Sequence, residues 1–167
     1  MSSKVIDIFV DVSGSMAGYK IQAVNRHLTS LFAEIGACAT NIQLYSFAES
    51  IQQEKVTKSP NLVVRKESTS FDKLGDFVAT LQNKNKNGSV LVIYSDGLLV
   101  DISTEEQTEK LCRQLQTAYS IRIGIHVSPN KQKENLLCSI SNSGVFGIDE
   151  DIGVVAAPIM TIRCRNA

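Results

Sequence analysis

Residues 5–16 read VIDIFVDVSGSM, and this stretch decides which fold the rest of the chain can take. Its β-branched and aromatic residues run up to Asp11, and the hydroxyl side chains of Ser13 and Ser15 follow on either side of Gly14. Such a run predicts a buried strand that opens into a polar loop. Apolar residues then recur at helical spacing, namely Ile21, Val24, Leu28, Leu31, Phe32 and Ile35. The predicted unit is therefore a strand, a polar loop and an amphipathic helix.

The polar loop carries three oxygen-bearing side chains at alternate positions, those of Asp11, Ser13 and Ser15. Open α/β sheets bind ligands at the carboxyl ends of their strands, which is where this loop lies. Magnesium and calcium prefer carboxylates and neutral oxygens, so the three side chains could converge on one such cation. The same residue types are also preferred as helix N-caps, and the loop taken alone fits either role.

A second continuous apolar run, residues 89–94, ends in Ser95-Asp96-Gly97. A strand this apolar is expected at the centre of a sheet with helices on both faces. A doubly wound sheet reverses its strand order beside the first strand, so the loops that follow these two strands should flank one crevice. This topology predicts that Asp96 lies next to Asp11.

The remaining pattern predicts an α/β fold: a doubly wound, mostly parallel sheet with helices on both faces and one short antiparallel edge strand. The edge strand is expected within residues 50–57, which are short, polar and lysine-bearing. Other strands are expected at residues 41–47, 121–127 and 144–148. The length suits a single domain spanning residues 1–167.

Capping and breaking residues predict where several helices begin and end. The first helix should end near Gly36, and a later helix should begin after Ser103, which forms a capping-box pattern with Glu106. A short helix should carry Leu136 and its neighbours. The last helix should follow Asp149, and Pro158 should kink it or start a new turn.

Charge and composition narrow the classes of partner and location. The chain has 17 basic and 17 acidic residues, so no global field favours nucleic acid or an anionic membrane as partner. The apolar N-terminal run has the length of a strand, not of a signal peptide or a membrane span. The cysteines form no Cys-x-x-Cys pair, which predicts reduced thiols and a cytoplasmic protein. They are Cys38, Cys112, Cys138 and Cys164.

The loop DVSGS resembles the metal-ion-dependent adhesion site of von Willebrand factor A (VWA) domains, whose first loop has the form Asp-x-Ser-x-Ser. In that family a threonine in a second loop and an aspartate in a third loop, usually followed by glycine, also reach the ion. Thr69 and Asp96 match these two positions. The family often has Gly-Gly before the threonine, whereas this chain has Glu67-Ser68, so Ser70 remains an alternative ligand. The resemblance covers nearly the whole chain and implies a Rossmann-like VWA fold.

The resemblance also implies how the ion would be held. Ser13, Ser15 and Thr69 would bind it directly, while Asp11 and Asp96 would act through water or as hydrogen-bond acceptors. The expected ion is Mg²⁺ or Mn²⁺, and because magnesium requires six oxygens, three hydroxyls leave room for a carboxylate from another protein. Residues expected at the rim are Tyr19, Lys20, Arg65, Lys66, Leu98 and Leu99.

These features predict a metal-dependent protein–protein interaction module, not an enzyme, whose partner presents an Asp or Glu carboxylate. Residues 11–25 further resemble the stand-alone bacterial TerY-like proteins of tellurite resistance, which implies a cytoplasmic adaptor. The alternative is a metal-dependent phosphohydrolase-like enzyme that uses the same crevice. Against it, the loop lacks a second carboxylate two residues after Asp11, and no lysine is evidently paired with the loop.

Three other polar residues have simpler expected roles. Asp101 could approach the ion, but a role in its loop or near the next helix start is favoured. His27 and His126 have no second histidine or cysteine at ligand spacing, so they are expected to be structural or surface residues.

Overall fold

The computed structural model describes residues 5–36, 41–81, 89–97, 101–128 and 135–164. These residues form a six-stranded sheet in the order β3-β2-β1-β4-β5-β6, in which only the β2–β3 pair is antiparallel. This arrangement confirms the predicted doubly wound, mostly parallel sheet with one antiparallel edge strand. The strands are β1 (Ile6–Asp11), β2 (Ile42–Phe47), β3 (Ile51–Glu54), β4 (Val90–Ser95), β5 (Ile121–His126) and β6 (Val145–Gly147).

Helices cover both faces of the sheet, as expected. The described helices are α1 (Tyr19–Ile35), α2 (Phe71–Leu81), α3 (Glu105–Ala118), α4 (Asn135–Ile140) and α5 (Ile152–Cys164), with a short 3-10 turn at Gly14–Met16. Apolar residues of α1 and α5 share one hydrophobic cluster, and those of α2, α3 and α4 share another.

The central strands are mostly apolar because they contact both layers of helices. In β1, Ile8 and Val10 belong to the cluster on the α1 side, whereas Phe9 belongs to the cluster on the opposite side. Every residue of β1 and of β4 is buried. Successive side chains of a strand point to opposite faces, so a strand covered on both faces needs apolar residues at consecutive positions.

One helix prediction needs correction. Helix α3 is capped by Thr104 and Gln107, whose side chains each accept from the other's backbone N–H, and not by Ser103 and Glu106. Both pairs fit the capping-box pattern, and either register places Glu105 and Glu106 in the first turn, where the helix dipole favours negative charge.

The final helix, α5, contains Pro158 within its span, at the position where the sequence predicts a kink or a new turn. The remaining boundaries differ from the predicted ones by small margins: β3 is shorter than residues 50–57, while α1 ends at Ile35 with Gly36 as its C-cap.

The position of β1 between β2 and β4 creates the point where the strand order reverses. The register pairs Val10 with Tyr94, so the residues that follow at the carboxyl ends of the two strands lie side by side. This is the edge at which open α/β sheets bind ligands.

Within the described ranges, no helix combines the length and apolar character that crossing a bilayer requires. Cys112 and Cys138 are free thiols. Cys38 lies outside the described residues, as do the expected rim residues Leu98 and Leu99.

Candidate metal centre

The first loop turns back over the end of β1 through hydrogen bonds of its own backbone. The Asp11 Oδ1 atom accepts from the Ser13 N–H at 2.9 Å, and the Met16 N–H donates to the Ser13 carbonyl at 3.0 Å. Met16 is fully buried and anchors the turn in the core. Gly18 connects the turn to α1 with φ of 78° and ψ of −129°, a backbone conformation that suits glycine.

The structure brings all five predicted site residues into one hydrogen-bonded cluster. Thr69 Oγ1 lies 2.8 Å from Ser13 Oγ, which lies 3.2 Å from Ser15 Oγ. Ser15 Oγ in turn donates to Asp96 Oδ1 at 3.3 Å. Thr69 Oγ1 also lies 3.3 Å from Asp11 Oδ2. A row of three hydroxyls from two loops therefore runs between two carboxylates.

Asp11 forms the buried base of this cluster. It has no exposed surface and accepts hydrogen bonds from the Ser13 N–H and from the Ser95 hydroxyl, the latter at 2.8 Å. Burial raises the pKa of Asp11, while its hydrogen bonds with Ser13 and Ser95 lower it, and the nearby charge of Asp96 raises it further. These bonds orient the Asp11 carboxylate toward the row of hydroxyls.

Ser95 is a residue of this site that the sequence reading did not single out. Its hydroxyl donates to Asp11 and accepts from the Gly97 N–H at 3.1 Å, so it joins the first and third loops. Ser95 is the last residue of β4 and directly precedes Asp96, and this position is the signal in the sequence that could have identified it.

The second loop directs Thr69, and not Ser70, into the cluster. The Ser70 hydroxyl instead donates to Asp101 Oδ2 at 3.0 Å and accepts from the Lys73 N–H at 3.2 Å, which caps α2. The loop is fixed to the first loop by the Gly14 N–H, which donates to the Glu67 carbonyl at 3.0 Å.

Asp101 does not contact the cluster. Its carboxylate accepts from the Phe71 N–H at 2.8 Å and from the Asp72 N–H at 3.4 Å, at the N-terminus of α2. The expected role near the next helix start is therefore wrong, because Asp101 lies at the start of the preceding helix. Through Asp101 the third loop holds the second loop in place.

Both histidines are buried, and the imidazole of His126 also interacts with Asp96 of the cluster. His27 Nδ1 is 2.7 Å from the Tyr94 hydroxyl, and burial lowers the pKa of His27 to about 4. Burial also lowers the pKa of His126, at the end of β5. The core position of His27 agrees with the sequence-based expectation, whereas His126 borders the cluster.

Lys20 enters the site from the first turn of α1, and its contacts overturn one sequence-based argument. Its ammonium donates to Asp96 Oδ2 at 2.8 Å and to the Ser15 carbonyl at 3.1 Å. The expectation that no lysine pairs with the loop is therefore wrong. The Lys20 side chain is 12% exposed and the Asp96 side chain 0%, so this ion pair is largely shielded from water.

The donor atoms of the cluster fit a hard divalent cation. Among the described residues, no group of three or more His, Cys, Asp or Glu side chains could hold a metal ion. The candidate centre instead combines two carboxylates with three hydroxyls, an all-oxygen set that suits Mg²⁺ or Mn²⁺ and lacks the nitrogen and sulfur ligands typical of Zn²⁺.

No protein-family model matches the sequence, and no curated protein matches it either. Solved structures do resemble the fold. BatB from Bacteroides thetaiotaomicron has a TM-score of 0.66 at 11% identity, with 98% of each chain covered. An aerotolerance-related membrane protein from Bacteroides fragilis has a TM-score of 0.60 at 10% identity, with 97% of this chain and 100% of that one covered.

Proximal thread matrix protein 1 from the mussel byssus is similar to a comparable degree. Its TM-score is 0.63 at 12% identity, and the match covers 97% of this chain and 48% of that one. At such identities the likeness shows the fold alone. Together with the observed strand order, these neighbours support a VWA-like fold over nearly the whole chain.

Proposed function

We propose that this chain is a metal-dependent protein-interaction module. Mg²⁺ or Mn²⁺ would be held by the hydroxyls of Ser13, Ser15 and Thr69, with Asp11 and Asp96 as the acceptors behind them. The observation that carries this proposal is the row of three hydroxyls between two buried carboxylates, at the edge where the strand order reverses.

The partner group follows from the number of protein ligands. Magnesium requires six oxygens in near-ideal octahedral geometry, and three hydroxyls leave positions for water or for a group from outside. Neutral hydroxyls leave most of the ion's charge uncompensated, so an incoming carboxylate is favoured. Ser15 is the half-exposed member of the row, whereas Ser13 and Thr69 are buried, so an incoming group would approach on the Ser15 side.

Two of the expected rim residues are open to a partner, whereas another is held by a neighbouring turn. Tyr19 is 61% exposed and Lys66 is also exposed, so both are available to a partner. Arg65 is instead held by Ser50, since its guanidinium donates to the Ser50 hydroxyl at 2.8 Å and to the Ser50 carbonyl at 2.9 Å. Arg65 therefore fixes the second loop against the β2–β3 turn.

The further proposal of a cytoplasmic, TerY-like adaptor rests on the likeness of residues 11–25 alone.

A phosphohydrolase-like activity remains the second candidate, and Lys20 is the observation in its favour. A lysine beside a carboxylate and a metal would help to bind a phosphoryl group. Two features weigh against this activity. Position 13 is a serine where a second carboxylate would be needed, and Asp11 is fully buried and saturated with hydrogen bonds, which makes it a poor nucleophile.

Affinity capture from cell extract in magnesium and in chelator tests the interaction module. We expect a partner that is retained only in magnesium and that is lost when Thr69→Ala is used as bait. Ser70→Ala is the matched control, because it removes the neighbouring hydroxyl that faces Asp101 instead of the cluster. A partner retained equally in chelator would refute the proposal, and metal-dependent turnover of a generic phosphoester would favour the enzyme.

A further inference from the structure

The ammonium of Lys20 lies at the edge of the candidate metal centre. Lys20 is the second residue of α1, and its side chain extends back to the first loop. The ammonium donates to Asp96 Oδ2 and to the Ser15 carbonyl, so it contacts two of the residues that would surround the ion. A positive charge that belongs to the chain itself therefore lies beside the place where a metal would bind.

The environment of this ion pair differs from that of the surface pairs. Lys110 pairs with Asp72 at 3.4 Å and with Asp76 at 3.5 Å, and all three side chains are about half exposed. Exposed pairs of this kind contribute little to stability because water and salt screen them. The Lys20–Asp96 pair is nearly buried, and removal of one partner would leave a charge without compensation.

Lys20 and a divalent cation would compete for the carboxylate of Asp96. The Asp96 Oδ1 atom accepts from Ser15, and the Oδ2 atom accepts from Lys20. An ion between Ser13, Ser15 and Thr69 would place two further positive charges beside the ammonium. The ion and the ammonium would repel each other, and this repulsion is stronger in a shielded site than in water.

We propose that Lys20 is a tethered counter-ion that competes with the divalent metal for Asp96. The inference rests on the proposed function, since it concerns the same site. In the metal-free chain the ammonium neutralises Asp96 and holds the first and third loops together. Metal binding requires the ammonium to leave Asp96, which lowers the affinity of the site for the ion. Because binding free energies are reciprocal, each cation weakens the hold of the other by the same factor.

Calorimetric titration with MnCl₂ tests the competition. Lys20→Met keeps most of the aliphatic stem and removes the charge, so we expect it to bind Mn²⁺ about ten-fold more tightly than wild type. Lys20→Arg keeps the charge and should stay close to the wild-type affinity. Lys110→Met removes a lysine that is paired with surface carboxylates, and it should bind Mn²⁺ as wild type does.

A thermal scan in chelator supplies a readout that does not involve the metal. Lys20→Met should melt below wild type there, because Asp96 loses its counter-ion, and added Mn²⁺ should raise its melting temperature more than that of wild type. If Lys20→Met does not fold, Lys20→Gln takes its place, since the amide can still donate to the Ser15 carbonyl.

The possible outcomes separate this inference from the proposed function. Tighter Mn²⁺ binding by Lys20→Met, abolished when Thr69→Ala is added, supports both. Equal Mn²⁺ affinity of wild type and Lys20→Met overturns the competition but leaves the metal site in place. Absence of Mn²⁺ binding in every variant overturns the metal site, and with it the role of Lys20 as a competitor.

Discussion

Asp7 gives a prediction that depends on the core and not on the metal. It lies in β1 on the side of Phe9, with no exposed surface, and its Oδ2 atom accepts from the Tyr119 hydroxyl at 2.6 Å. Its Oδ1 atom is buried and has no hydrogen-bond partner among the residues that the structure describes. Burial raises the pKa of Asp7 to about 6, although the bond from Tyr119 opposes the shift. The folded chain therefore holds the Asp7 proton more tightly than the unfolded chain does.

The sign and size of the effect follow from proton linkage. A raised pKa in the folded state stabilises the fold below the unfolded pKa of 3.8, and this stability is lost as the pH rises through about 6. The difference between a pKa of 3.8 and a pKa of about 6 corresponds to a loss of about 3 kcal/mol of stability at neutral pH. Asp7→Asn should remove this cost, and we expect it to raise the free energy of unfolding by about 2 kcal/mol more at about pH 7.5 than at about pH 4.5.

The comparison must be between variant and wild type, because other groups also titrate in this range. Burial lowers the pKa of His27 to about 4, so His27 contributes stability above its unfolded pKa of 6.5 that is lost as the pH falls. This effect is opposite in sign to that of Asp7, and the difference between Asp7→Asn and wild type removes it. Urea denaturation at both pH values gives the required free energies.

A matched control is Asp76→Asn, since Asp76 is a surface carboxylate whose side chain is 58% exposed. It should change the free energy of unfolding by less than about 0.5 kcal/mol at either pH. If Asp7→Asn changes the free energy of unfolding equally at both pH values, the ionisation of Asp7 does not destabilise the fold. This result would contradict the reasoning.

Two further substitutions test how the loops are held. Gly18→Ala should destabilise the fold by about 1–3 kcal/mol in urea denaturation, because φ at this position is 78°. A Cβ there would meet no atom within 4 Å, so backbone strain and not crowding would be the cause. An unchanged stability would contradict this. Asp101→Ala should lower the free energy of unfolding by about 1–2 kcal/mol, since the N–H groups of Phe71 and Asp72 lose their acceptor. Asp101→Asn should recover part of the loss. Equal losses in both variants would show that the cap is not responsible.

The sequence predicted the architecture because its signals are local and strong. The apolar runs of β1 and β4 imply central strands, and their polar ends imply a shared crevice, so Asp11 and Asp96 could be placed together from topology alone. The alternation and turn residues of the remaining segments set the element order with errors of a few residues.

The polar details were less accessible because they depend on tertiary contacts. Lys20 has a long, flexible side chain, and only the position of the third loop makes Asp96 its partner. Asp101 caps α2, a helix about 30 residues earlier in the chain, as the hydrogen bond from Phe71 shows. The register of the α3 cap was ambiguous because Ser103 with Glu106 and Thr104 with Gln107 satisfy the same pattern.

The central claim is that a divalent cation binds between Ser13, Ser15 and Thr69. A crystal structure grown with Mn²⁺, with anomalous differences measured at the manganese edge, tests this most directly. We predict an anomalous peak with the three hydroxyl oxygens at about 2.0–2.2 Å and with the ammonium of Lys20 moved away from Asp96. Absence of a peak at this position, with the Lys20–Asp96 ion pair still intact, would contradict the claim.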